Sequence, residues 1–585
     1  MNDAALDLAA DATSPRPRLA RSAQRLAVPL CLVLTVAVAH FLRLPDFGLY
    51  EDDYYFVGEP LGWSLSQAVE AVASAFTGWP NGRPVGEAVP RFLSFVGGSL
   101  LGLPGVYLLG FAVIAANALL SWRVATRLLP PLPALVVALV FVLFPADTTR
   151  IFPTYALQMN VAQAFALLAA DRLLARRTLA AMPFFALVLL TYETPSVPLF
   201  LVPLLAGSGW TLAWRRWLST WAAMSTAILS ALAARLAMGE ARVVEAVESG
   251  LPSLLGKVAA APFLGVSTSA RLMATRPLDA LSSLRPTEWL AVLVFATALA
   301  GLTSRLTLGN GAERADTAPS RPRSADPREP GPAPAVGSPS WTLFVGLLAW
   351  LAAYALAFTH WPPVAESGRA TSVHGAATLG ASLTAGALVW WLGRAARHTL
   401  PRSVLRAGII VFCSLLVGFH LTVQRAFAES WVAQRALWRQ VVALCPDLEE
   451  GTVIFIRPRG IPFSPMAFVS SWADPLVLEL IFRFPREWSS VPRAFALDSE
   501  VTASFHEVDG VVRWRVPNAT WRARVVELDP ENVIVLRSEQ GRLQRVRGKT
   551  SVNSIEIPSK RRGRSTVDSL PRGPLFALLL GDDLP

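Results

Sequence analysis

Leu26-Ala27-Val28-Pro29-Leu30-Cys31-Leu32-Val33-Leu34-Thr35-Val36-Ala37-Val38-Ala39-His40-Phe41-Leu42 is followed within a few residues by Leu49-Tyr50-Glu51-Asp52-Asp53-Tyr54-Tyr55-Phe56. The first stretch is apolar over nearly its whole length, and about 20 such residues carry a helix across the hydrocarbon core of a bilayer. The second places three carboxylates, framed by aromatic rings, where that helix leaves the membrane. Asn81-Gly82-Arg83-Pro84 comes soon after. Acids in such a position are not expected to serve packing; they can coordinate, take a proton, or orient a molecule arriving from the membrane.

Composition extends this reading to the whole chain. Of 585 residues, 53% are hydrophobic and 16% charged, with mean hydropathy +0.43. That balance excludes a soluble enzyme of this size and fits a polytopic α-helical membrane protein. The net charge of +11 is carried almost wholly by arginine, since lysine occurs only at Lys257, Lys549 and Lys560. Heavy use of Arg, Ala and Pro suits a G+C-rich bacterial genome. Much of the arginine sits in short loops beside apolar runs, where it reports topology and argues for no nucleic-acid partner. Cys31, Cys413 and Cys445 offer no disulfide framework, and without CxxC, HExxH or a paired Cys/His set no structural zinc site is expected.

Apolar runs near 26–42, 104–122, 131–146, 154–173, 179–192, 194–209, 217–238, 287–306, 341–359, 375–393 and 403–424 predict about eleven transmembrane helices. If these alternate, Arg16, Arg18, Arg21 and Arg25, Arg123 and Arg127, Arg172, Arg176 and Arg177, Arg215 and Arg216, and Arg394, Arg397 and Arg402 share one side. By the positive-inside rule that side is the cytoplasm. The expected organisation is a cytoplasmic tail over 1–25 and a transmembrane catalytic block over 26–308 with an external loop at 43–103. A disordered Pro/Ala/Arg/Gly-rich cytoplasmic linker over 309–340, a second transmembrane block over 341–424 and an external α/β domain over 425–585 complete it. In that last part Val432 to Leu444 reads as a helix, and Thr452–Ile456 and Asn532–Leu536 as strands. Ala37-Val38-Ala39 resembles a leader-cleavage site, but a long leader with acids ahead of its arginines favours an uncleaved anchor.

This orientation brings four polar stations to the external face: Glu51-Asp52-Asp53; Arg83, opening an amphipathic stretch to Leu101; Tyr192-Glu193-Thr194-Pro195, between two apolar runs; and Glu366-Ser367-Gly368-Arg369, with His374 close behind. A carboxylate at membrane depth costs at least ~2.5 kcal/mol near the bilayer centre, so Glu193 is expected to face a protein interior or a wet cavity. Arginines offer bidentate contacts to phosphate, and a carboxylate serves as a base. The plainer readings stand beside these. The acids also fit a solvated loop, their aromatic neighbours an interfacial belt, Arg83 and Arg369 helix-end or surface pairs, and His374 a packed core residue.

One span, an acidic pair with aromatics, a Gly-Arg-Pro-led amphipathic helix and many further spans resemble the GT-C superfamily of polytopic glycosyltransferases. Within it the chain looks most like bacterial protein-mannosyltransferase-like and lipid-A-sugar-transferase-like members. Tyr192-Glu193, Gly368-Arg369 and the run Trp431 to Trp438 leading to Cys445-Pro446-Asp447-Leu448 share in the likeness, which covers residues 26–450. The resemblance implies inverting sugar transfer from a polyprenyl-phosphate-linked donor to an acceptor hydroxyl on the extracytoplasmic face of the bacterial plasma (inner) membrane. The acceptor would be a cell-envelope glycan, lipid or protein. It also implies Asp52 as base, with Asp53 as helper or metal-proximal ligand, and Arg369 and Arg83 at the phosphate. Glu193, with Tyr192 and His374, would orient bound substrate. Some relatives use a divalent metal such as Mg or Mn, and the adjacent aspartates leave that open.

The competing expectation is a transporter or flippase of a lipid-linked intermediate. Such proteins usually show repeated halves with broken helices at matched positions, and no internal repeat is visible here. A non-catalytic scaffold presenting the C-terminal domain leaves Glu193 and the aspartates unexplained.

Overall fold

The computed structural model of the chain describes residues 16–79, 82–205, 210–238, 250–306, 338–357, 362–395, 401–457, 476–497, 505–508, 511–515, 525–527, 530–539, 542–552 and 555–581. Most of the expected tail and linker, and Asn81, lie outside the described residues. In chain order the helices are α1 Arg16–Phe41, α2 Leu65–Gly78, α3 Pro84–Leu101, α4 Leu103–Thr126, α5 Pro131–Val142, α6 Pro153–Leu157, α7 Met159–Leu174 and α8 Thr178–Thr191. They continue as α9 Ser196–Leu199, α10 Val202–Leu205, α11 Trp210–Ala237, α12 Leu251–Ser283, α13 Pro286–Thr303, α14 Pro339–Ala352, α15 Ala377–Ala395 and α16 Arg402–Leu444.

The fold is that of a helical membrane protein with a small C-terminal sheet region. The expectation of eleven spans is corrected. Among the described residues, five helices are long and apolar enough to cross a membrane: Leu26–Asp46, Leu103–Thr126, Trp217–Ala237, Pro286–Thr303 and Arg402–Leu444. Four expected spans form shorter apolar segments, at Pro131–Val142, Thr178–Thr191, Ser196–Leu205 and Pro339–Ala352. At 1.5 Å per residue, the 12 residues of α5 reach about 18 Å, short of a core about 30 Å thick. Proline contributes at several of these breaks. Pro153 starts α6 and Pro198 and Pro203 fall in α9 and α10, while Pro195 keeps Thr194 from extending α8. The run 154–173 is further divided at Gln158, which leaves the helical path at φ −111°, ψ −71°.

Two long helices depart from expectation in the other direction. α12, 33 residues long, was not expected as an element because Lys257, Arg271, Arg276 and Asp279 dilute its apolar pattern. It is amphipathic, burying Ala261, Leu272 and Ala280. α16 joins the expected last span and the expected Val432–Leu444 helix into one 43-residue rod, about 64 Å long.

Helices from before and after residues 309–340 interleave. α15 packs on α5 and α14, and α16 packs on α1, α12 and α13. Small residues permit the closest approach. A Cβ on Gly380 would stand 2.1 Å from the backbone nitrogen of Trp350, so only glycine lets α14 and α15 touch there.

Beyond α16, β1 (Val453–Arg457) is the centre of a sheet ordered β2-β1-β6-β7, with β2 (Arg493–Ala496) and β6 (Val533–Glu539) parallel to it and β7 (Arg542–Arg545) antiparallel to β6. α17 (Val477–Ile481) lies in the β1–β2 connection and α18 (Phe576–Leu580) packs on α16. β3 (Phe505–Val508), β4 (Val511–Arg515) and β5 (Val525–Glu527) form a second sheet, and β8 (Gly548–Val552) and β9 (Ile555–Ser559) a hairpin. The expected α/β character of this region is present. It is stapled to the end of α16 by Asp447, which receives Arg545 Nη1 at 2.5 Å and the amide of Gly563 at 2.7 Å. The loop after α1 docks beneath it: Gly58 lies against Leu480 and Leu575, and Gly62 against Pro574. The acid loop therefore lies on the same side of the helical bundle as the sheet domain.

Candidate functional site

The loop after α1 hangs from α16. Tyr50 donates its hydroxyl to the carbonyl of Phe427 (3.0 Å), and Tyr54 donates to Gln434 Oε1 (2.7 Å). Gly48 sits so close to the Trp431 ring that a Cβ would fall 1.8 Å from it. Between these anchors the chain turns sharply: Glu51 has φ +46°, a left-handed conformation that non-glycine residues seldom adopt, and Tyr54–Gly58 form a π-helical turn.

The three acids have unlike surroundings. Asp53 is fully buried. Its Oδ1 accepts from the amide (2.9 Å) and hydroxyl (2.6 Å) of Thr154, at the start of α6, and its Oδ2 accepts from the amide of Tyr50 (3.1 Å). Burial pushes its carboxyl up to about 8, against the pull of the Thr154 and Tyr50 hydrogen bonds and with a push from the Asp52 charge. With both oxygens occupied it locks the loop to α6, which departs from the expected helper or metal-proximal role. Asp52 Oδ2 accepts a hydrogen bond from Arg369 Nε and forms an ion pair with its Nη2, each at 3.1 Å. Arg369 Nε also lies 3.2 Å from the Tyr155 hydroxyl and 3.7 Å from Glu51 Oε2. Burial works against the guanidinium's charge, but Tyr155, Asp52 and Glu51 outweigh it and hold Arg369 protonated. Among the described residues no group of three or more His, Cys, Asp or Glu side chains is placed to hold a metal ion. Asp52 paired with Arg369 and Asp53 bonded to Thr154 do not fit a divalent cation.

The Arg369 loop is itself braced. Gly368 takes φ +72°, a conformation glycine adopts freely, and its carbonyl accepts from Thr371 Oγ1 at 2.7 Å. His374 is buried, with Nδ1 2.7 Å from the Tyr354 hydroxyl and Nε2 2.9 Å from the carbonyl of Ala365. A carbonyl can only accept, so Nε2 carries the proton and Nδ1 accepts from Tyr354. Burial lowers its pKa, against the Ala365 hydrogen bond, which keeps the ring neutral. Its expected binding role becomes a bracing one. Glu366 points away, pairing with the exposed Arg271 at 2.7 Å.

The remaining two stations form a second cluster. Arg83 grips Glu193 with both arms of its fork, Nε to Oε2 at 2.9 Å and Nη2 to Oε1 at 2.6 Å, and its guanidinium lies 4.1 Å above the Tyr192 ring. Arg235 Nη2 completes the cluster, 3.1 Å from Glu193 Oε2 and 3.2 Å from the carbonyl of Leu189. Burial alone would raise the Glu193 pKa; the two arginines override it and hold the carboxyl far below the usual carboxylate range. Two guanidiniums on one carboxylate leave net positive charge. Sequence reading missed Arg235 and Tyr155. The only signal for Arg235 was a single arginine near the end of an apolar run, and a tyrosine inside an apolar run carries none.

Tyr155 touches the first cluster through Arg369 Nε, and burial raises its pKa, with further pushes from Asp52 and Tyr192. A polar cavity of about 20 Å³ adjoins the Arg83–Glu193 cluster, lined by Arg83, Tyr192, Glu193, Thr194, Ala357 and Ser372 among others, room for a single water. An apolar cleft of about 70 Å³ uses the same three chain segments further along. α14 and the residues after it contribute Val345 and Ala349 to the cleft and Ala353 and Ala357 to the cavity. The 194–205 segment gives Thr194 to the cavity and Pro198 and Leu205 to the cleft; the 372–383 segment gives Ser372 and Leu383 in the same way. No protein-family model matches the chain, and no curated protein or solved structure matches it either.

Proposed function

We propose that this chain is a membrane glycosyltransferase that moves a sugar from a polyprenyl-phosphate-linked donor to an acceptor hydroxyl, with inversion, on the extracytoplasmic face of a bacterial plasma membrane. The observation that carries the reading is the pairing of an arginine-bearing polar cavity with an apolar cleft along the same three segments. A phosphate with a long apolar tail is the ligand whose two halves suit those two surfaces. Arg83, Arg235 and Arg369 supply positive charge where negative charge accumulates on the departing lipid phosphate. Glu51 and Asp52, both beside Arg369, are the carboxylates from which the base is drawn, since Asp53 is committed to the fold. The resemblance favours Asp52, and it is the first residue to test. The acceptor is a cell-envelope glycan, lipid or protein hydroxyl that would approach beneath the C-terminal domain.

Purified protein given a polyprenyl-phosphate sugar should release polyprenyl phosphate, and Asp52→Asn should lose most of that release while remaining folded. Full release by the double variant Asp52→Asn, Asp53→Asn would refute the acid-loop assignment. Movement of the lipid between leaflets without bond cleavage would instead establish a flippase.

A further inference from the structure

The three neighbouring carboxylates divide the work differently from what their order in the sequence suggests. Asp53 accepts hydrogen bonds at both oxygens inside the core. Asp52 Oδ2 accepts from Arg369 Nε and lies 3.1 Å from its Nη2, so protonating Asp52 would weaken that ion pair. Glu51 alone keeps its charged neighbour beyond hydrogen-bond range, with Arg369 Nε at 3.7 Å and 15% of its side chain exposed. Its backbone is held at φ +46°, and residues kept in such strained conformations cluster at functional sites.

Resting on the transferase reading above, we propose that Glu51 is the carboxylate that takes the acceptor's proton, and that Asp52 is a positioning residue acting through Arg369. In the step, the acceptor oxygen forms a bond to the anomeric carbon while the bond from that carbon to the lipid-phosphate oxygen breaks. The bonding pair leaves with the phosphate, and the acceptor's proton passes to a Glu51 carboxylate oxygen and later to solvent. The charged and titratable groups facing Glu51 are Asp52 on its own loop and Arg369, backed by Tyr155 of α6, on the opposing turn. Burial lifts the Glu51 carboxyl to about 7, with Arg369 opposing and Asp52 adding to the rise, which suits a base working near neutral pH.

The strain supplies the test. Glycine adopts positive φ freely, so Glu51→Gly removes the carboxylate while keeping the loop's backbone. Release of polyprenyl phosphate by this variant should fall at least ~100-fold, the usual contribution of a general base, and exogenous formate should restore about tenfold. In the intact protein kcat should climb with pH to a plateau above about 7. That limb should vanish from the residual activity of Glu51→Gln and persist in Asp52→Asn, whose KM should rise as Arg369 loses its anchor. Glu51→Gly turnover near the intact level, a limb that survives in Glu51→Gln, or a limb lost in Asp52→Asn would each overturn the assignment. If the intact protein releases no lipid phosphate, the transferase reading itself fails, an outcome separate from all of these.

Discussion

Glu193→Gln tests whether the Arg83–Glu193–Arg235 cluster is a buried ion network or a set of surface contacts. The side chains are 19% (Glu193), 11% (Arg83) and 12% (Arg235) exposed, so solvent screening is limited. The substitution keeps shape and one acceptor oxygen but leaves two guanidiniums facing each other without a countercharge. Removing one partner of a buried pair typically costs 3–5 kcal/mol; partial exposure and the retained acceptor place the expected loss near ~3 kcal/mol. Unfolding in mixed micelles, followed by tryptophan fluorescence, would read this out. The pH dependence has a definite sign. Because the folded-state pKa of Glu193 is depressed below its ordinary 4.5, its contribution is fully present above that value and is lost only as pH falls through the folded pKa. The difference between native and variant should therefore be flat from about pH 5 to 8 and shrink only in stronger acid. Adding Arg83→Met should return part of the loss by removing one uncompensated charge. A Glu193→Gln cost under about 0.5 kcal/mol, the scale of an exposed pair, would refute the reasoning.

Other substitutions probe the bracing around the site. His374→Leu leaves the buried Tyr354 hydroxyl without its ring nitrogen and should cost about 2 kcal/mol. Since burial depresses the His374 pKa, its stabilising effect is present above about 6.5 and fades as pH falls, and the variant should lose that acid-side decline in unfolding curves at pH 7.5 and 5.5. Gly368→Ala forces a side chain into φ +72° and should cost about 1 kcal/mol in the same assay while weakening turnover through Arg369. Arg369→Lys cannot reproduce the fork on Asp52 with the contact to Tyr155, and under the transferase reading lipid-phosphate release should fall about 10²-fold with stability little changed.

Residues carrying local signals were legible before the structure. The apolar runs of α1, α4, α13 and α16 announce themselves through hydropathy. Arginine asymmetry groups the acid loop, Arg83, Glu193 and Arg369 on one expected face, and the fold pairs Arg83 with Glu193 and Arg369 with Asp52. Other features have no local signature. Arg235 is a lone arginine near a helix end until α11 brings it against Glu193 from 42 residues away. Asp52 and Asp53 are adjacent and chemically alike. Only the arrival of Thr154, 101 residues on, and Arg369, 317 residues on, makes one a structural lock and the other half of an ion pair.

By itself the sequence determined the membrane class, the apolar runs, the α/β character of the C-terminal region and the residue types available to a site. All of these follow from composition and short-range periodicity. Tertiary structure decided which apolar runs form helices long enough to span, that α16 runs unbroken over 43 residues to the sheet domain, and which carboxylate meets which arginine. The physical reason is that a helix's length depends on how proline and its neighbours end it, and a carboxylate's role depends on burial and on partners brought from distant parts of the chain. The stretch Glu51-Asp52-Asp53 holds both: its position beside a membrane helix was written locally, and the division of labour within it was set by the fold.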